Sequence, residues 1–254
     1  MNYMDNFKKW IDIEIINEEV RKELLAIQNN DAEIKERFYK NLEFGTGGLR
    51  GIIGAGTNRI NIYTVRKATQ GLANFINQSS SNENISSVAI AYDSRHFSDI
   101  FAEEAALVLA ANNIKAYVFD SLRPTPELSF AVRHLNCDAG IVITASHNPP
   151  EYNGYKVYGS DGGQITLETA NAIISEINKL DIFDDVKTCI KEDAINRVLL
   201  SYIGDDVDKE YLNRVTELSI NPYISQEVED FKIVYTPIHG TGLIPIERAL
   251  SMLG

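Results

Sequence analysis

The residues best placed for chemistry are Thr144-Ala145-Ser146-His147-Asn148-Pro149-Pro150, a small polar turn after the apolar run Ala139-Gly140-Ile141-Val142-Ile143. A short run of that kind reads as a buried strand. A turn at its end puts one hydroxyl, that of Ser146, at the open edge of a sheet. An exposed serine hydroxyl suits nucleophilic or group-carrying chemistry. A serine hydrolase is disfavoured: His147 is adjacent in sequence, whereas nucleophile and base must face each other and a third group must orient the base. The Gly-x-Ser-x-Gly elbow is also missing. A second candidate stretch is Phe44-Gly45-Thr46-Gly47-Gly48-Leu49-Arg50-Gly51-Ile52-Ile53-Gly54. It matches neither the dinucleotide fingerprint nor the Gly-Lys-Ser/Thr phosphate loop. Its glycines would let backbone N–H groups approach an anion, with Arg50 adding a fixed cation. Equally, they would serve a tight turn between helix and strand, and spacing alone leaves both readings open.

The elements that must position these residues alternate. Helical spacing of Trp10, Ile13, Val20, Leu24, Ile34 and Phe38 predicts a helical stretch from about Asp5 to Asn41, with starts at Asn17 and Asn30. It is expected to pack on the domain that follows. Helices are predicted over Asn61 to Gln78, over Asp99 to Asn112 with Ser98 as cap, and over Glu127 to Leu135 with Thr125 as cap and Pro126 in first position. Thr166 should cap another reaching about Leu180. Strands are predicted at Val88-Ala89-Ile90-Ala91-Tyr92, at Tyr117-Val118-Phe119, before Ser146, and at Asn153-Gly154-Tyr155-Lys156-Val157-Tyr158, the last reversing beside the serine turn. The acidic stretch from Asp181 to Leu200 reads as partly helical, and Asp205 to Ile220 as a helix. Phe231-Lys232-Ile233-Val234-Tyr235-Thr236 reads as a new strand, followed by a helix to Leu253. This rhythm predicts an α/β fold: a three-layer domain with a largely parallel, mixed sheet between helices, plus the start of a second similar domain. In such sheets ligands bind beyond the carboxyl ends of the strands. Asp93-Ser94-Arg95, Arg123-Pro124-Thr125 and the serine turn all fall there.

Bulk properties narrow the partners. The 254 residues carry a net charge of −12 and are 44% apolar. That charge argues against nucleic acid and against a membrane surface as partner. An anionic substrate must then be drawn by a local basic pocket. Cys137 and Cys189 have no metal-type spacing, which fits a reducing, cytoplasmic setting. The charged segment Met1 to Trp10 lacks a signal peptide's apolar core, and no run is long enough to span a bilayer. The sequons at Asn77 and Asn84 are therefore read as coincidental.

Six segments together resemble the α-D-phosphohexomutases, the family of phosphoglucomutase and phosphomannomutase. They are Gly45-Thr46-Gly47-Gly48-Leu49-Arg50-Gly51, Tyr92-Asp93-Ser94-Arg95, Pro124-Thr125-Pro126, Thr144 to Pro149, Asn153-Gly154-Tyr155-Lys156, and Tyr235-Thr236-Pro237-Ile238-His239-Gly240-Thr241-Gly242, in family order. The resemblance implies an isomerase of carbohydrate metabolism. In that family a phosphoserine gives its phosphoryl to one end of a sugar phosphate, the bisphosphorylated sugar turns over, and the serine takes the phosphoryl back from the other end. Ser146 would be that serine, and through its phosphate one ligand of a Mg2+ ion. Glucose 1,6-bisphosphate would be the intermediate and activator. Arg50 would neutralise the transferred phosphoryl, and Lys156 would donate to the sugar's reacting oxygen or act as general acid. Arg50, Ser146 and Lys156 would also bind substrate. His147 either orients the phosphoserine or is structural. Arg95 is expected to brace Asp93, and His239 either faces the cleft or shapes its loop.

The family has four domains. The expected division is a helical arm over 1–41, the phosphoserine domain over 42–204, and a truncated second domain over 205–254. The family's Asp-Gly-Asp-x-Asp-Arg metal loop is absent, and Asp205-Asp206-Val207-Asp208-Lys209 is read as a solvated helix start. The chain is therefore expected to be an inactive fragment whose partners are sugar phosphates and the missing C-terminal domains. A phosphopentomutase of the same family, or a non-catalytic phosphosugar-binding module, is the alternative.

Overall fold

The structure, a computed structural model, describes residues 2–45, 47–79, 85–221, 224 and 232–254. Three helices open the chain: α1 (Tyr3–Asp12), α2 (Glu18–Ala26) and α3 (Asp31–Phe38). The helical stretch expected from about Asp5 to Asn41 is thus borne out as three helices. Its expected starts at Asn17 and Asn30 are the caps of α2 and α3, their side chains accepting from the Val20 and Glu33 N–H groups. Trp10 anchors this arm. It is 1% exposed and meets Phe38, Tyr63 and Phe183 edge-on, with ring centroids 5.7, 5.4 and 5.3 Å away.

There follow β1 (Phe44–Gly45), β2 (Gly48–Ile52), α4 (Ile62–Ser79), β3 (Ser87–Tyr92), α5 (Ser98–Ala111), β4 (Lys115–Phe119), α6 (Thr125–His134), β5 (Ala139–Ile143), β6 (Tyr152–Gly159), α7 (Leu167–Asn178), α8 (Lys191–Asn196), β7 (Leu200–Ile203), α9 (Asp205–Glu217) and α10 (Leu243–Leu253). The seven strands form one mixed sheet in the order β1-β2-β6-β5-β3-β4-β7. Strands β5, β3, β4 and β7 run parallel, while β6 reverses beside β5 and β2 beside β6. One sheet face packs against α4, α5 and α7 through a core that includes Leu72, Phe101, Leu109, Ile141 and Tyr155. The other meets α6 and α9 through Leu128, Val132, Val142 and Val207. Helices on both faces of a sheet are the expected three-layer α/β arrangement.

Several local expectations are corrected. The glycine-rich stretch is expected to be a loop or a tight turn between helix and strand; its described residues form two paired strands, β1 and β2, at the sheet edge. Ser98 is the first residue of α5, not its cap; Phe97 holds that position with φ of 65°. The Ser98 hydroxyl donates instead to Asp93 Oδ1 at 2.8 Å. Thr125 likewise begins α6, and Pro124 is its cap. The acidic stretch is partly helical as expected, through α8, but its last residue, Leu200, opens an unexpected strand, β7, which pairs with β4. The predicted strand Phe231 to Thr236 begins outside the described residues, and its remainder, 232–236, forms no strand. Val234 is 96% exposed there, and no neighbouring strand among the described residues offers a ladder. Asp205 and Asp206 do open α9 in exposed positions, as expected of a solvated helix start, but Asp208 is 3% exposed and pairs with Arg123.

Candidate functional site

Three adjacent strands carry the site. Across β5, β6 and β2 the register pairs Val142 with Lys156, Lys156 with Gly48, and Gly154 with Arg50. Side chains two apart on a strand share a face, so Arg50, Lys156 and Thr144 stand on one side of the sheet. Leu49 and Tyr155 stand on the other, inside the core. The close approach of these strands depends on glycine. A Cβ on Gly154 would lie 2.5 Å from the Thr144 carbonyl oxygen and 2.9 Å from that of Leu49. Gly48 has φ of 147°, a conformation L side chains rarely adopt.

The face opens into a cleft of about 630 Å3 whose walls include Arg50, Lys156, Thr144, Gln164 and, from the arm, Lys40 and Glu36. Its other cations are compensated: Lys40 lies 3.1 Å from Glu43, and Arg59 donates to Glu36 at 2.8 Å. Among the described residues Arg50 and Lys156 have no acidic partner. The cleft is thus a local positive spot on a strongly negative chain, which favours an anion.

Ser146 sits just past β5, exposed, with φ of 57°. The left-handed region costs a non-glycine residue about 1–3 kcal/mol and needs support from its surroundings. Two contacts supply it. The Thr144 hydroxyl accepts from the Ser146 N–H at 2.9 Å. Arg95 does the rest. Its Nη2 donates to the carbonyls of Ser146 at 2.7 Å and Asn148 at 2.6 Å, and its Nη1 to those of Pro149 at 2.8 Å and Tyr152 at 3.0 Å. Asp93 faces Arg95 Nε at 3.5 Å and accepts from the Arg95 N–H at 3.0 Å. The buried Asn153 ties this support to β6 by donating to the Ser98 hydroxyl at 3.0 Å. The expectation that Arg95 braces Asp93 holds, but it omitted the larger part: the guanidinium clamps four carbonyls of the serine loop. The triplet Asp93-Ser94-Arg95 after a strand marked the place, and only folding shows which carbonyls it reaches.

The remaining candidates are placed as follows. His147 Nδ1 is 3.3 Å from Ser146 Oγ. Arg50 Nη1 donates to Asn148 Oδ1 at 3.2 Å, joining the hairpin to the serine loop. His239 is exposed, and its carbonyl accepts from the Ser94 hydroxyl at 2.6 Å. Arg123, expected at a ligand-facing strand end, is 6% exposed and turned away, donating from Nε and Nη2 to the two Asp208 oxygens at 2.8 Å each. Of the strand ends facing outward, those of β3 and β5 meet at the site and that of β4 does not. No three His, Cys, Asp or Glu side chains among the described residues are grouped to hold a metal ion. Asp93 is engaged by Arg95 and Ser98. No helix among them is long and apolar enough to cross a membrane.

Residues 41–182 match the family model described as phosphoglucomutase/phosphomannomutase, alpha/beta/alpha domain I. A phosphoglucomutase of Staphylococcus epidermidis is 38% identical over 246 residues, which cover 96% of this chain and 43% of that protein. One from Staphylococcus aureus is 39% identical over 229 residues, 89% of this chain and 39% of its own. The chain thus spans about two fifths of the length of these curated relatives. Among solved structures, the open form of the Paramecium phosphoglucomutase pp63/parafusin superposes with a TM-score of 0.66 at 18% identity, over 85% of this chain and 42% of that one. A Burkholderia thailandensis phosphoglucomutase/phosphomannomutase family protein gives 0.52 at 23%, over 69% and 35%. These two likenesses concern the fold. With the model match spanning more than half its length, the chain belongs to the phosphoglucomutase/phosphomannomutase family.

Proposed function

We propose that the protein containing this chain interconverts a hexose 1-phosphate and a hexose 6-phosphate, with Ser146 as the phosphoryl carrier. The observation that carries this reading is the clamped, exposed Ser146, whose loop Arg50 reaches through Asn148, two residues past Thr144 of a cleft where Arg50 and Lys156 have no acidic partner among the described residues. In the proposed step a sugar hydroxyl oxygen bonds to the phosphorus of phosphorylated Ser146. The bond from phosphorus to Ser146 Oγ breaks, and the proton lost by the sugar hydroxyl is taken up at Ser146 Oγ, so that the serine ends as a neutral hydroxyl. The product is a bisphosphorylated sugar such as glucose 1,6-bisphosphate; reversal at its other phosphate restores the phosphoserine. Transfer of this kind depends on positioning and on neutralising the phosphoryl oxygens. Arg50 is assigned the neutralising role. Lys156 is assigned donation to the reacting sugar oxygen, and His147 orientation of Ser146 Oγ. Magnesium would add charge neutralisation when bound, with its carboxylate ligands supplied from outside the described residues. Glucose is the proposed sugar because the relatives above are named phosphoglucomutases. We place the enzyme in the cytoplasm.

The test uses the full-length protein, with glucose 1-phosphate as substrate and glucose 6-phosphate as product. Ser146→Ala should abolish turnover with the fold intact by circular dichroism, and the wild type should carry one phosphate, mapped to Ser146 by peptide mass analysis. Full activity in Ser146→Ala, or an acyl adduct on Ser146, would overturn the proposal. Mannose and ribose phosphates in the same assay decide the sugar. The 254-residue chain alone should show no turnover, because the metal ligands are not among its described residues.

A further inference from the structure

A second pocket, of about 180 Å3, lies behind the β1–β2 hairpin, between it and helices α4 and α7. It shares only Leu42, Glu43 and Leu49 with the cleft. Apolar side chains, among them Phe44, Leu49, Ala68 and Ile174, make most of its wall. Lys67 also lines it, half-buried, with no hydrogen bond or ion pair among the described residues. Nearby lysines are matched, Lys9 with Asp181 and Lys179 with Glu176, each at 2.6 Å. Burial holds the Lys67 ammonium below the usual lysine range, although Asp181 and Asp185 act against that.

The other polar groups define what the pocket can take. Glu43 is paired with Lys40. The Thr57 hydroxyl is committed as a donor to the Lys40 carbonyl at 2.7 Å, and that of Thr64 to the Arg59 and Asn61 carbonyls at 3.1 and 3.0 Å. The donors left for a ligand are the Lys67 ammonium and the Asn41 and Asn178 amides, and the one charge among them is positive, so the complementary group is an anionic acceptor. The wall complements an aliphatic body. A cavity of about 150 Å3 holds a benzene-sized molecule, so this one suits a chain of about four to six carbons.

We propose that this pocket binds a short-chain aliphatic monocarboxylate, its carboxylate on Lys67 and its chain against Phe44, Leu49 and Ile174. Nothing in this site depends on Ser146 or its phosphorylation, so it is tested apart from the catalytic reading. Isothermal titration of the chain at low salt should show saturable one-to-one binding of hexanoate. Binding of 1-hexanol and of inorganic phosphate should each be at least about tenfold weaker. Lys67→Met, with its fold checked by circular dichroism, should lose hexanoate binding. Ile174→Phe, which fills the pocket and leaves the lysine in place, should lose it too. Absence of hexanoate binding up to about 10 mM, equal binding of 1-hexanol, or undiminished binding by both variants would overturn the proposal.

Discussion

At the scale of single residues, the serine loop is held by one side chain. Arg95 satisfies four carbonyls of a loop whose central residue, Ser146, is in the left-handed region. A guanidinium can do this because its five N–H donors lie in a fixed plane; a lysine ammonium is a compact charge with three. Arg95→Lys in the full-length enzyme should therefore release the loop without removing positive charge. We expect kcat to fall at least about tenfold, equivalent to about 1.4 kcal/mol of transition-state stabilisation, with a smaller change in KM. Steady-state kinetics with the two constants resolved checks this; a change confined to KM would show that Arg95 acts on substrate binding and not on the serine. Ser146 was legible because an apolar run ending in a hydroxyl-bearing turn is a local pattern. The fourfold clamp was not, because carbonyls 51 to 57 residues away leave no trace in the sequence around Arg95.

At the scale of elements, helices α6 and α9 meet through buried charge. Glu127 on α6 is 1% exposed, and its Oε2 has no partner among the described residues. Burial, followed by the neighbouring Asp208 carboxylate, pushes the Glu127 carboxyl up to about 8. Burial acts in the same direction on Asp208, but hydrogen bonds from Arg123 and Glu127 hold its carboxyl below the usual range. Arg248 of α10 also reaches Asp208 Oδ2 at 3.2 Å, so all three helices converge on one carboxylate. Because the folded state keeps the Glu127 proton above the ordinary value of 4.5, it binds more protons than the unfolded chain until about pH 8. Stability from this group is therefore full below the ordinary value and is lost as pH rises through about 8. The melting temperature should fall between about pH 5 and 8 and level off above that, and Glu127→Gln should flatten that slope. An unchanged slope in the variant would remove Glu127 as its cause. Cap signals at Asn17, Asn30 and Thr166 were readable because each acts on N–H groups three residues away. Strand β7 was not, because four residues, Leu200 to Ile203, are too few to show a period.

At the scale of the whole molecule, the arm and the sheet domain are joined through aromatic packing. Trp10 of α1 touches Tyr63 of α4 and Phe183 beyond α7, while Lys9 pairs with Asp181 at 2.6 Å. Replacing a buried tryptophan with alanine leaves a large cavity and typically costs about 3–5 kcal/mol. Trp10→Ala should lower the urea midpoint of the chain accordingly, with the arm and the domain unfolding together in the wild type. A loss below about 1 kcal/mol would mean the arm adds little to the domain's stability. The sequence by itself determined the alternation of strands and helices, the polar turn that exposes Ser146 and the reversal of β6. These follow from apolar period and turn chemistry within a few residues. It also placed Arg50, Lys156 and Ser146 in segments that match one family. Tertiary structure alone decided that the glycine-rich stretch is an edge hairpin, since strand identity there depends on pairing with β6. Pairing also turned Arg123 inward to Asp208 and set Arg50 and Lys156 on one sheet face without acidic partners among the described residues. A strand is defined by its neighbour and a charge by its counter-ion, and in this chain those partners lie far apart in sequence.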